Sequence, residues 1–177
     1  TDHIRTMYSS KNRFGDTGEV GFFEMSENGL ISIDDPSEYF VSNDADSFGI
    51  CSCIAKKGSR YITIEIESLV SKSFFPYPQR ISESVNKDNL NIIASIIDET
   101  TSLNLEDKNI ILKAAGGVKL DDVSSDLAKA VSIISSFKKV PVPNDTIFSG
   151  EIGLTGKIKK VQNIKPMISE ALSLIHI

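Results

Sequence analysis

The sequence has no tryptophan, only two cysteines and only two histidines among its 177 residues. Cys51 and Cys53 fall on one expected strand, and His3 and His176 lie at opposite ends. Four ligands for a structural zinc cannot be gathered from such a set. Neighbouring cysteines on one strand also pair poorly as a disulfide. A reducing, cytoplasmic setting is therefore expected. No apolar run approaches the roughly 18 residues that a membrane span requires, and no N-terminal signal pattern is visible. Positive charge is not in excess either. A net charge of -5 and a pI near 5.1 exclude a surface coated with cations, while a local basic surface stays possible. There is no internal repeat and no low-complexity tract.

What remains is a chain of ordinary globular composition, 40% hydrophobic and 24% charged, long enough for one medium domain or a small domain plus part of another. Residues 1–33 read as β structure, with Asn28-Gly29 a hairpin signal between "EVGFFEM" and "LISI". "DDPSEYF" reads as a short helix with Pro36 in its first turn, and residues 41–49 as a polar linker. "ICSCIA" and "RYITIEIE" form two strands across the turn "KKGS". Ile62, Ile64 and Ile66 alternate with Tyr61, Thr63 and Glu65, the pattern of a half-buried strand. Residues 71–85, with Pro76 and Pro78, are irregular. A helix follows with Leu90, Ile93, Ile96 and Ile97 on one face, then the strand "NIILKAAGG". A second helix aligns Leu127, Val131 and Ile134. Short strands and glycine turns through "DTIFSGEIGLTGKIKKV" lead to a final helix, with Asn163 as its cap and Pro166 in its first turn. The first residues enter structure at once and "SEALSLIHI" stops inside an amphipathic pattern, so the chain reads as a piece of a longer protein.

Three stretches carry a resemblance: "SSKNRFGDTGEVGFFEMSENGL", "AGGVKLDDVSSDLAKAVSIISSF" and "GEIGLTGKIKKV". In this order and spacing they resemble the bacterial RadA/Sms family of DNA recombination and repair proteins. The resemblance implies an α/β (α+β) fold in two parts. Residues 1–44 would be the terminal strands of a RecA-like ATPase domain. Residues 45–177 would be a domain shaped like the proteolytic domain of Lon, truncated at its C-terminus. It further implies a homo-hexameric, ATP-dependent DNA translocase that extends recombination intermediates by branch migration on single-stranded and branched DNA, loading with the RecA recombinase. ATP and Mg2+ belong to the longer parent, as does a zinc finger in its N-terminal part. This chain has no G-x-x-x-x-G-K-[ST] phosphate loop and is not expected to bind nucleotide or act as an ATPase alone.

Lys11, Asn12, Arg13, Phe14 and Gly15 spell the motif "KNRFG". In related ring helicases of the DnaB type, a lysine and an arginine at this place touch the terminal phosphate of ATP bound by the neighbouring subunit. Alternation along an extended segment would turn Lys11 and Arg13 to one side, with Asn12 opposite and Gly15 easing the turn. A DNA-facing role and a solvated basic loop are the other readings.

Lon proteases pair a serine nucleophile with a lysine base. The resemblance puts Ser124 at the serine position and Lys165 at the lysine position, with Ser149 where Lon carries a threonine. Asp126 stands where Lon has glycine and Val123 where it has proline. A carboxylate beside an oxyanion site opposes the charge developing there. A serine before an amphipathic run is also the usual helix N-cap, and Lys165 reads equally as a surface residue. The cluster Lys157, Lys159 and Lys160, with Lys165 close behind, is a candidate DNA contact or a solvated strand edge. Lys138 and Lys139 end a helix and read as dipole partners. Arg80 and Lys87 flank the irregular segment, a second possible DNA-facing loop. A passive module for assembly or DNA binding is the alternative to a motor part, and a Ser-Lys peptidase a third.

Overall fold

The computed structural model describes residues 4–13, 19–41 and 46–173. The fold is mixed α/β. Three strands, β1 (Ile4–Tyr8), β2 (Val20–Ser26) and β3 (Gly29–Ile33), form an antiparallel meander. The β2–β3 turn is closed by its own residues. Ser26 Oγ donates to Gly29 O at 2.9 Å, and the Asn28 amide donates to Ser26 Oγ at 3.2 Å. Gly29 has φ of +111°, which favours glycine. The short helix α1 (Ser37–Phe40) follows where the sequence predicts one, with Pro36 at its N-cap and not in its first turn.

The larger sheet has five strands in the order β6-β7-β5-β4-β8. Its centre is the hairpin of β4 (Ile50–Lys57) and β5 (Arg60–Lys72). On the far side β7 (Lys108–Ala114) runs antiparallel to β5, and β6 (Arg80–Ser82) runs parallel to β7. β8 (Ile147–Phe148) lies parallel to β4 at the other edge. A small antiparallel pair, β9 (Glu151–Ile152) and β10 (Ile158–Lys159), completes the strands. Helix α2 (Lys87–Thr100) is capped by Asn86, whose Oδ1 accepts from the Asp88 amide at 2.8 Å. Helices α3 (Asp126–Lys138) and α4 (Ile164–Ser173) follow.

Leu90, Ile93 and Ile97 of α2 are buried with Ile62, Ile64, Ile66, Ile110 and Leu112, as the periodicity predicts. β5 departs from expectation. Thr63 and Glu65 are buried along with the isoleucines, so this strand is covered on both faces. Segments distant in sequence close the second face: α1 and α4 both pack on β5. Ser37 Oγ donates to Glu170 Oε1 of α4 at 3.0 Å and accepts from the Thr63 amide at 3.3 Å. Burial pushes the Glu170 carboxyl up, and the Ser37 hydrogen bond opposes this.

Helix α3 also turns a different face inward. Leu127, Val131 and Ile134 are half-buried, while Ala128, Ser132, Ile133, Ser135 and Ser136 are buried. Small side chains let the helix lie close to the sheet, and their hydroxyls are used. Ser132 Oγ meets Ser68 Oγ at 2.7 Å, and Ser136 Oγ accepts from the Val70 amide at 2.9 Å. Ser135 Oγ accepts from the Gly49 amide at 2.8 Å and donates to Val140 O at 2.6 Å. The expected boundary near residue 44 lies outside the described residues. On either side of it a single core cluster holds Val20, Phe22, Ile33 and Phe40 together with Cys51 and Cys53. Phe22 and Phe40 meet edge to face, with centroids 6.1 Å apart.

Candidate functional site

Lys11 and Arg13 lie in the excursion between β1 and β2, whose base is closed by a hydrogen bond from the Ser9 amide to Glu19 O at 2.9 Å. Both are exposed, and neither has an ion-pair or hydrogen-bond partner among the described residues. Residues 11 and 12 have no regular structure and Arg13 lies in a bend, so strand alternation does not set their directions. Phe14 and Gly15 lie outside the described residues. The result is two cations on a surface loop, a geometry open to an anion from a neighbouring molecule.

The Lon-like positions sit elsewhere. Ser124 belongs to a 3-10 turn (Val123–Ser125) leading into α3, with 1% of its surface exposed. It is not the helix cap. Ser125 holds the N-cap position of α3, and Asp122 caps the 3-10 turn, its Oδ1 accepting from the Ser124 amide at 2.7 Å. The Ser124 hydroxyl is buried without a hydrogen-bond partner. Ser149 lies beside it: Ser149 Oγ donates to Ser124 O at 3.4 Å, and the Gly150 amide donates to the same carbonyl at 2.8 Å. So the serine turn and the "SGEI" segment are brought together. Lys165 is exposed near the start of α4, while Met167 of that helix is buried beside Ser149. No hydrogen bond joins Lys165 to Ser124.

A different lysine is buried here. Lys129 of α3 is 1% exposed. Its Nζ lies 3.1 Å from Asp126 Oδ1 and donates to Asn89 Oδ1 at 3.0 Å. Sequence reasoning passed over this group. The signal was present in the spacing: Asp126 and Lys129 stand three apart on one helix, in a segment otherwise of small and apolar residues.

Lys157, Lys159 and Lys160 are all exposed on or beside β10. Lys159 is held by Glu151 across the β9–β10 pair at 2.7 Å, so Lys157 and Lys160 are the freer cations. Arg80 is half-buried and donates to the carbonyls of Leu105 and Lys108, which makes it a clamp on the β6–β7 edge. Cys51 and Cys53 are buried, and burial pushes both thiols up, Cys53 to about 12, so neither is a nucleophile near neutrality. Among the described residues no helix is long and apolar enough to cross a membrane.

The family model for subunit ChlI of Mg-chelatase matches residues 80–175, more than half of the chain. The chain belongs to this family. It is also similar along nearly its whole length to proteins named DNA repair protein RadA. That of Bacillus subtilis (strain 168) is 37% identical over 172 residues, 97% of this chain and 38% of the relative. That of Streptococcus pyogenes serotype M1 is 39% identical over 172 residues, again 97% and 38%. That of Rickettsia bellii (strain RML369-C) is 37% identical over 174 residues, 98% and 39%. The resemblance read from "KNRFG" and "GEIGLTG" therefore extends over the chain at large. The chain spans under two-fifths of the length of these relatives. The family match begins at β6 and covers α2, β7, α3 and α4, so it includes Ser124, Lys129 and the lysine cluster but not Lys11 and Arg13.

Proposed function

We propose that this chain is part of an ATP-driven DNA repair motor that assembles as a homo-hexameric ring. Lys11 and Arg13 of one protomer complete the triphosphate site of the next. The observation that carries this reading is the pair itself, two exposed cations on a loop with no partner among the described residues, within a chain similar to RadA proteins over 97% of its length. ATP and its Mg2+, held by the parent's other parts, supply the hydrolysable phosphate bond. An arginine presents a planar fork of N–H donors and a lysine a compact charge, and both suit terminal phosphate oxygens that gain charge in the transition state. A cation supplied from the next subunit also makes turnover depend on assembly. The Lon-like part acts as ring scaffold, with Lys157, Lys159 and Lys160 as its DNA contact. Its substrates would be single-stranded and branched recombination intermediates, with RecA as loading partner.

A peptidase has less support. Ser124 is buried with an idle hydroxyl, Lys165 is exposed, and the nearby carboxylate Asp126 is committed to Lys129. A passive scaffold differs from the motor in one measurable way. Arg13→Ala in the full-length protein is expected to lower DNA-stimulated ATP hydrolysis by about a thousandfold, the usual worth of such an arginine. Melting temperature and oligomeric state, followed by sedimentation, would stay as in the wild type. Normal turnover in that variant would leave only the scaffold.

A further inference from the structure

The loop between β5 and β6, residues 73–79, carries the most exposed aromatic side chains among the described residues. Phe74 is 92% exposed, Phe75 71% and Tyr77 86%. Three large rings in water within four positions oppose the usual burial of such groups, and they are held there by structure. Ser73 Oγ accepts from the Phe75 amide at 3.2 Å and donates to Phe75 O at 3.0 Å. The Ser73 amide donates to Asp107 O at 2.9 Å on one side, and the Gln79 amide donates to Asn109 Oδ1 at 2.8 Å on the other. Pro76 and Pro78 stiffen the stretch between. Both ends are thus anchored to the start of β7.

The base of the loop carries charges of both signs. Lys72 and Lys108 face each other across the β5–β7 ladder, a like-charge pairing that costs stability unless anions are near. Asp107 meets Lys108 and lies near Lys72. The Arg80 guanidinium is held by two backbone carbonyls at the same edge and lies near Asp98, so Lys72 is the cation of the three with neither a hydrogen bond nor an ion pair among the described residues. None of the three rings has an aromatic contact among the described residues, so each keeps a π face free for a base.

We infer that residues 73–79 are a stacking platform for unpaired bases of single-stranded nucleic acid, with Lys72 at its base facing a phosphate. This inference rests on the proposed reading that DNA is the working partner. Stacking on an aromatic side chain tolerates any base and is worth roughly tenfold in affinity per base.

The test is fluorescence anisotropy with the full-length protein and three labelled probes of equal length: oligo-dT, an abasic oligonucleotide with the same phosphates, and a duplex. Phe74→Ala/Phe75→Ala/Tyr77→Ala is expected to weaken oligo-dT binding at least tenfold and to leave the abasic and duplex probes within twofold. Because the sequence has no tryptophan, Phe74→Trp supplies a reporter whose emission is expected to quench on oligo-dT and not on the abasic strand. Equal losses on all three probes, or no loss on oligo-dT, would overturn the inference. So would a changed sedimentation coefficient with unchanged oligo-dT affinity, which would make the loop a contact between protein chains. Failure of the wild type to bind any probe would strike the proposed function itself.

Discussion

Lys129 shows most sharply how one residue shapes this chain. A lysine buried to 1% exposure is tolerable only when its ammonium is paired, and Asp126 with Asn89 does this. The pair joins α2 to the start of α3, next to the turn holding Ser124. Asp126, read from sequence only as a departure from the Lon pattern, thereby gains a structural reason. Lys129→Ala leaves a carboxylate buried without its cation, and a loss of about 3–5 kcal/mol of folding free energy is expected in urea unfolding. Lys129→Met combined with Asp126→Leu removes both charges and should recover most of that loss. A double variant as unstable as the single one would mean that the pair matters through its shape and not through charge compensation.

At the scale of elements, the sequence was most legible where one helix or strand decides its own fate. The periodicity of Leu90, Ile93 and Ile97 marked α2, and the Asn28-Gly29 turn marked the β2–β3 hairpin. It was least legible where a distant segment closes a face. The alternation in β5 predicts water against Thr63 and Glu65, yet α1 and α4 cover them, and no local pattern encodes that. In α3 the longest apolar side chains suggested the inward face, whereas close approach to the sheet selected the serines and alanines. At the candidate site, the resemblance led to Lys11, Arg13 and the Ser124–Ser149 neighbourhood. It gave no hint of Lys129, or of the aromatic rings on the β5–β6 loop. The close approach of the Gly49 backbone to β5 can also be tested. This residue has φ of +82°, and an added Cβ would lie 2.3 Å from Ser68 O. Gly49→Ala should cost about 3 kcal/mol, combining left-handed strain with a backbone collision. Gly117→Ala, at φ +66° with open space around it, should cost only about 1 kcal/mol. Equal losses in chemical denaturation at the two sites would show that the segment around Gly49 can move away from β5 at little cost.

At the scale of the whole molecule, a net charge of -5 has to be reconciled with the proposed binding to a polyanion. Only a segregated cationic surface can do that, and affinity then depends on how many free cations each subunit contributes and on how many subunits share one DNA. Lys157 and Lys160 are exposed without a carboxylate partner among the described residues, whereas Lys159 is partly neutralised by Glu151. Neutralising phosphates releases counterions, so the logarithm of affinity falls with the logarithm of salt by about 0.9 per phosphate contact on duplex DNA. Lys157→Gln/Lys159→Gln/Lys160→Gln in the full-length protein should make that slope shallower by about 2 for each subunit that touches the duplex, with most of the change also produced by Lys157→Gln/Lys160→Gln. ATP turnover at saturating DNA and low salt should be unchanged, because the substituted residues act on binding and not on hydrolysis. Titrations at several salt concentrations decide the matter. A slope equal to that of the wild type would reduce the β10 lysines to a solvated strand edge and remove them from the proposed DNA contact.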